Sequence, residues 1–145
     1  MQPMEDKKKS KSDMPVILVS AVLLMNAAGQ ILLAKRPMGK SMAGLWEFPG
    51  GKVEVGETPE VALVRELAEE LDIEVAVENL VAFTFASHAY DDFHLLMPVY
   101  LCESWQGEPA SLEGQELAWV AVDDLSNYPM PPADIPLIEM IKRLV

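Results

Sequence analysis

Between Gly51 and Ile73, four of the six glutamates and one arginine have a spacing that lets their side chains act jointly: Glu57, Arg65, Glu66, Glu69 and Glu70. Thr58-Pro59 predicts the start of a helix, because Thr is a good N-cap and Pro at the first helical position loses no needed hydrogen bond. At about 100° per residue, Glu66, Glu69 and Glu70 fall at about 200°, 140° and 240° from Val64. The three carboxylates therefore share one face of a helix that runs to Leu71 or Asp72.

The opposite face of this helix is apolar, with Val64, Leu67, Ala68 and Leu71 predicted as one buried stripe. A solvated acidic face is the ordinary meaning of charges opposite such a stripe. However, like charges at this spacing repel by a few tenths of a kcal/mol per pair. Negative charge in the last helical turn is also disfavoured by the helix dipole. A bound cation would offset both effects, and clustered hard oxygen ligands suit Mg2+ or Mn2+.

The segment resembles the Nudix signature at every charged position. The spacing that carries the resemblance is Gly51, five residues, Glu57, seven residues, Arg65-Glu66-Leu67, one residue, Glu69-Glu70. One position departs, since Asp72 stands where the family usually has a glycine; Asp tolerates the left-handed region and can end the helix. Leu45–Gly51 and Pro131–Pro136 are similar to the MutT branch, which hydrolyses nucleoside triphosphates including oxidised guanine nucleotides. The resemblance implies an α/β Nudix fold, an α/β/α sandwich with a central mixed β-sheet.

The resemblance also implies a metal site for Mg2+, with Mn2+ possible. Its candidate residues are Gly50, Glu57, Glu66, Glu69, Glu70 and Glu116. Glu57 is either an outer ligand or a partner of Arg65 that fixes the loop, and Arg65 is alternatively an i,i+4 partner of Glu69. Gly50 and Gly51 permit close turning of the backbone beside the metal.

The pattern gives two candidates for the general base. The MutT prototype has a glutamate where Ala118 stands, before Trp119. Glu116 lies on the same face of the strand as Ala118 and is a candidate base or metal ligand. Glu66 is the rival, and an exposed glutamate near a turn is the plain alternative.

Three residues are predicted to contact the nucleotide. By resemblance, Arg36 contacts phosphate, Phe48 lies beside the base, and Asp134 stands where the prototype has a base-reading asparagine. An ionised aspartate only accepts hydrogen bonds. Asp134 therefore suits N–H groups of guanine or the amino group of cytosine, or it simply N-caps the last helix.

The remaining sequence predicts a sheet covered by helices on both faces. Expected strands are Val16–Met25 and Ile31–Ala34 as a hairpin through Gly29, Trp46–Phe48 ended by Pro49–Gly51, Val75–Val77, Leu80–Phe85, Phe93–Leu101 and Leu117–Val122. A final helix is expected from Asp134 to the C-terminus.

Charge narrows the choice of partner. The chain of 145 residues has a net charge of -12, and residues 1–14 hold four of its 11 basic and three of its 23 acidic residues, which leaves -13 on residues 15–145. Such a surface repels a nucleic acid polymer.

Residues 1–14 are expected to be a disordered tail and 15–145 one domain, although the basic tail and the run Val16–Met25 imitate a signal peptide. A single cysteine, Cys102, is typical of a reducing compartment, so we expect a cytoplasmic protein, a monomer or dimer without a membrane partner.

The expected function is Mg2+-dependent hydrolysis of a nucleoside triphosphate to the monophosphate and pyrophosphate. The favoured substrate is 8-oxo-dGTP, which would make the protein an 8-oxo-dGTP diphosphatase that cleans the nucleotide pool. CTP, modified cytosine nucleotides or nucleoside diphosphate derivatives are alternatives. A nucleotide-sensing module without turnover is the alternative from another class.

Overall fold

The computed structural model describes residues 14–144, so the expected tail falls, except for Met14, outside the described residues. The strands are β1 (Val16–Leu24), β2 (Gln30–Lys35), β3 (Trp46–Glu47), β4 (Gly50–Lys52), β5 (Val81–Ala89), β6 (His94–Cys102) and β7 (Glu116–Ala121). The helices are α1 (Pro59–Leu71) and α2 (Ile135–Leu144), with short 3-10 helices at Val77–Asn79 and Val122–Asn127. Neither helix of this described part is long and apolar enough to cross a membrane.

Two sheets form the centre of the molecule. One is a mixed four-stranded sheet in the order β4-β1-β6-β5, in which β1 runs parallel to β6. The other is antiparallel, in the order β3-β2-β7. Alternate residues of β1 enter two cores: Val22 and Leu24 pack with α1, whereas Ala21 and Leu23 pack with α2. The α/β/α arrangement predicted from the sequence is confirmed.

The predicted hairpin of β1 and β2 is wrong in its pairing, although its turn is right. Gly29 has φ 79°, and the Asn26 side chain accepts a hydrogen bond from the Gln30 N–H at 2.8 Å. The two strands share only the bridge between Met25 and Ile31 before they enter different sheets. They separate because β4 and β6 already occupy both edges of β1.

The strand at Trp46 ends before Pro49, as predicted, but Gly50 and Gly51 do continue a ladder, contrary to the prediction. Pro49 separates β3 from β4, and Gly50 and Gly51 then pair with Ala21 and Ser20 of β1. A Cβ at Gly50 would collide with the carbonyl oxygen of Ser20. The missing side chains therefore allow the chain to pass from one sheet to the other at close range.

The predicted strand Val75–Val77 is absent. Glu74 forms one bridge with Gln106, and a 3-10 helix begins at Val77. Val75 is buried in the core that contains α1, so its apolar character reflects packing rather than strand pairing. The last three predicted strands and the final helix are present with shifted ends, as β5, β6, β7 and α2.

The ends of α1 match the prediction, but its buried face does not. The Thr58 hydroxyl accepts a hydrogen bond from the Val61 N–H at 3.1 Å, and Asp72 ends the helix in the left-handed region at φ 59°. Ala68 is exposed, whereas Leu63 is fully buried together with Leu67 and Leu71. The buried stripe is therefore rotated toward Glu66 and Glu70, since the packing of α1 on the sheet sets which side faces inward.

Candidate active site

Arg65 links α1 to the loop in front of it. Its guanidinium donates to Glu57 at 2.7 and 2.9 Å, to the Lys52 carbonyl at 3.2 Å, and to Glu66 and Glu69 at 3.2 and 3.4 Å. Hydrogen bonds from Arg65 and, to a smaller extent, from the Glu54 N–H lower the pKa of Glu57 to about 2. Arg65 therefore fixes the loop and also faces the acidic side of the helix.

Glu66 and Glu70 form a closely interacting carboxylate pair on the inward side of α1. Burial, together with the proximity of Glu66, Glu113 and Glu47, raises the pKa of Glu70 to about 9. Glu66 lies directly under Gly51, where a Cβ would collide with its carboxyl group. A half-buried pair of like charges is costly, and a cation between them would reverse that cost.

The pair borders a cavity of about 460 Å³, which we call the charged cavity. Its lining carries both basic and acidic side chains: Lys35, Arg36, Lys40, Lys52, Glu47, Glu66, Glu70 and Glu113. Within residues 14–144, no three His, Cys, Asp or Glu side chains are arranged as a complete metal cage. The oxygen donors nevertheless fit a hard divalent cation that keeps waters and takes further ligands from a phosphate.

A second cavity of about 300 Å³, which we call the apolar cavity, also borders β4. Phe48, Tyr90 and Phe93 provide aromatic walls, and Asp134 and Glu47 are the acidic groups of its lining. Asp134 is 5% exposed. Burial raises its pKa to about 7, the charge of Glu47 adds to this, and the backbone of Phe48 acts in the opposite direction. A planar apolar group with polar edges suits such a cavity.

The two cavities are continuous in their lining, because Arg36, Glu47, Gly50, Gly51 and Lys52 border both. Arg36 donates to Glu47 at 3.1 Å and to the Ser41 carbonyl at 2.7 Å. Burial raises the pKa of Glu47, and Arg36 opposes that rise. An ion pair thus stands at the boundary between the apolar and the charged cavity.

Six of the predicted site residues line the two cavities, and the other four, Arg65 among them, line neither. Around the two cavities lie Arg36, Phe48, Gly50, Glu66, Glu70 and Asp134. Glu57 and Glu69 lie instead against Arg65, and Glu69 is exposed. Glu116 begins β7 opposite Lys35, is exposed, and borders neither cavity. Among the described hydrogen bonds, none joins the Asp134 side chain to a backbone N–H of α2, so the structure shows no capping bond from it.

Sequence reasoning missed Glu113 and Tyr90. Glu113 borders the charged cavity because its loop is tied to the end of α1: the Leu112 N–H and the Gln115 side chain donate to the Glu70 carbonyl at 3.0 and 3.2 Å. Nothing in the local pattern of this loop signals that contact. Tyr90 could have been suspected from the aromatic residues that flank Asp91 and Asp92 in a turn.

Comparison with known proteins agrees with this geometry. The family model of the NUDIX domain matches residues 20–140. The chain belongs to the Nudix family. It is 37% identical to an 8-oxo-dGTP diphosphatase of Escherichia coli over 90% of this chain and 100% of that protein. It is 43% identical to a CTP pyrophosphohydrolase of the same organism over 80% of this chain and 84% of that protein.

A solved structure gives the same result for the fold. A MutT structure, from work on Aliivibrio salmonicida and Vibrio cholerae, has a TM-score of 0.77 and 37% identity, covering 90% of this chain and 99% of that one. The protein is therefore a Nudix hydrolase of the MutT type, an enzyme that acts on phosphoric anhydride bonds. Nudix hydrolases use a divalent metal and act on small nucleotide substrates.

Proposed function

We propose that this Nudix hydrolase is a Mg2+-dependent nucleoside triphosphate pyrophosphohydrolase that releases a nucleoside monophosphate and pyrophosphate. Its substrate would be 8-oxo-dGTP, and its role would be to remove oxidised nucleotides from the cytoplasmic pool. Among the similar proteins, the 8-oxo-dGTP diphosphatase of E. coli is matched over its whole length.

One observation carries the proposal: an aromatic cavity and a charged cavity meet at Gly50 and Gly51. A base has the size and planarity that suit the first cavity, and a polyphosphate with a divalent cation suits the second. The two glycines let the backbone of β4 pack closely against Ser20 and Glu66. The sugar and first phosphate would lie along this strand, between the two cavities.

Glu66 and Glu70 are our main candidates for holding Mg2+, with the Gly50 carbonyl as a third oxygen; Mn2+ would suit the same oxygens. Glu69 would join them by breaking its hydrogen bond with Arg65. At 3.4 Å, this is the longest of the hydrogen bonds that the Arg65 guanidinium donates. When bound, a divalent cation neutralises charge that develops on the phosphates and lowers the pKa of a bound water.

The protein's own residues bind and orient the substrate. Arg36, Lys35 and Lys52, in the lining of the charged cavity, supply positive charge to the phosphates. Arg65 and Glu57 act as positioning residues, since they hold the loop before α1 rather than border the cavity. Glu113 is better placed than Glu116 to accept a proton from an attacking water, because it lies near Glu70.

A cytosine nucleotide is the second candidate substrate, and Asp134 is the observation that favours it. An ionised carboxylate in the apolar cavity would accept from the amino group of cytosine. The E. coli CTP pyrophosphohydrolase is also among the similar proteins, at 43% identity.

The test is product analysis with purified protein on 8-oxo-dGTP, dGTP, CTP, dCTP and ADP-ribose. We expect monophosphate and pyrophosphate, the highest kcat/KM for 8-oxo-dGTP, and no turnover when EDTA removes the metal. A preference for CTP or dCTP would keep the chemistry and replace the substrate. Absence of metal-dependent turnover on all five compounds would refute the proposal.

A further inference from the structure

Resting on the proposed function, we infer that Tyr90 is a positioning residue for base recognition: its hydroxyl holds the Ala133–Asp134 segment so that the Asp134 carboxyl faces the base. Asp134 itself belongs to the cavity described above. The contact that places it comes from a different part of the chain, the turn between β5 and β6.

The first step is the hydrogen bond from the Ala133 N–H to the Tyr90 hydroxyl oxygen, at 3.3 Å. Ala133 is 2% exposed, so its N–H has little access to water. It follows Pro131 and Pro132, which have no N–H groups to anchor the chain. Removing the partner of a buried N–H leaves an unsatisfied donor, and the local backbone then shifts to find another.

The second step is that Tyr90 is itself held rigidly. Its ring stacks on Phe93 with centroids 5.1 Å apart, and the His88 ring meets it edge-on at 4.5 Å. The Tyr90 N–H also donates to the Phe93 carbonyl at 2.8 Å, which closes the turn. A hydroxyl on a ring fixed from two sides can define the position of the segment that it binds.

The third step concerns the other backbone hydrogen bonds of this segment, one of which runs from the Leu137 N–H to the Asp134 carbonyl at 3.0 Å. The Trp46 N–H donates to the Pro129 carbonyl at 2.7 Å, at the start of the segment. The Asp134 N–H donates to the Pro131 carbonyl at 2.9 Å, within the segment itself. Of the described hydrogen bonds, the one from Ala133 to Tyr90 thus links the residue next to Asp134 to the turn between β5 and β6. The backbone of Phe48 contacts the Asp134 carboxyl itself.

The experiment is a double-mutant cycle with Tyr90→Phe and Asp134→Ala. Tyr90→Phe keeps the ring in the cavity and removes only the hydroxyl. We expect it to raise KM for the preferred nucleotide of the wild type about three- to tenfold, with kcat within about twofold, as expected for loss of one hydrogen bond. In the Asp134→Ala background the same change should alter KM by less than about twofold, since the group that Tyr90 positions is gone.

Tyr128→Phe is the matched control. It removes the same phenolic oxygen from a ring that packs edge-on against Trp46 at 5.2 Å and does not border the apolar cavity. We expect wild-type KM and kcat. Thermal unfolding of each variant identifies any loss of fold.

Three results would overturn the inference: wild-type KM in Tyr90→Phe, an equal KM change in both Asp134 backgrounds, or a fall in kcat alone. If the wild type turns over no nucleotide, the proposed function fails separately. The cycle is then measured as calorimetric affinity for 8-oxo-dGMP and CMP, with the same criteria. Binding of neither compound by the wild type would overturn both.

Discussion

The charged cavity and the apolar cavity share a wall but are built by different means. Two of the acidic groups of the charged cavity, Glu66 and Glu70, come from one helix, whose sequence spacing places them one turn apart. The apolar cavity is assembled from several distant segments, and Phe48, Tyr90 and Asp134 lie on three of them. A local motif can therefore specify the chemistry, whereas the choice of base depends on contacts between remote parts of the fold.

The largest expected effect comes from a mutation in the charged cavity. It should change the rate of hydrolysis without changing the choice of nucleotide. Glu70→Gln should lower kcat/KM at least about a thousandfold, by the same factor for every nucleotide, because it removes an oxygen that stabilises charge in the reaction. Burial already raises the pKa of Glu70 to about 9, so the neutral amide should leave the free energy of unfolding unchanged or higher.

Steady-state kinetics and urea unfolding measure both quantities. Glu78→Gln, on the exposed 3-10 helix, is the control and should stay within about twofold of the wild type. A Glu70→Gln effect that differs strongly between nucleotides would contradict the division of labour between the cavities.

The second prediction concerns the pH dependence of stability and tests the apolar cavity alone. The folded state raises the pKa of Asp134 from 3.8 to about 7, so folding favours the protonated form. The Asp134 carboxyl therefore makes its full contribution to the free energy of unfolding below about pH 4. This contribution is lost as the pH rises toward 7 and does not change further above that pH. The loss should be at most about 4 kcal/mol.

Urea unfolding in metal-free buffer from pH 4.5 to 8, for the wild type and Asp134→Asn, measures this contribution. The difference between the two curves isolates Asp134 from other groups such as Glu70, since both proteins share them. A constant difference over the whole range would mean that Asp134 is not desolvated as described.

The charged cavity and the apolar cavity also differ in how much of each could be predicted from the sequence. The ends of α1 could be predicted because Thr58, Pro59 and Asp72 act through local backbone geometry. The rotation that buries Leu63 and turns Glu66 and Glu70 inward could not be predicted from the sequence, because it depends on the packing of the helix on the sheet. Tyr90 reaches Ala133 across 43 residues, a contact that no local pattern encodes.

The third prediction changes substrate choice without changing the chemistry. Asp134→Asn replaces a group that only accepts when ionised with one that both donates and accepts. We expect the ratio of kcat/KM for 8-oxo-dGTP to that for CTP to rise about tenfold, the value of one buried hydrogen bond. The ratio is measured in a competition assay with both nucleotides. The kcat for each nucleotide alone should stay within about threefold of the wild-type value. An equal loss for both substrates would instead place Asp134 in the reaction or the fold.

The smallest expected effect lies outside both cavities, at the one departure from the family pattern. Asp72 holds the left-handed region at φ 59°, which strains a residue with a Cβ, and a glycine there relieves the strain. Asp72→Gly should raise the free energy of unfolding by about 0.5–1 kcal/mol, with kcat/KM unchanged for all nucleotides. Thermal unfolding measures the first quantity, and Glu74→Gln, an exposed acidic change nearby, is the control for charge. A change in activity would mean that the end of α1 sets the position of Glu70, because the Glu70 carbonyl also anchors the loop that carries Glu113.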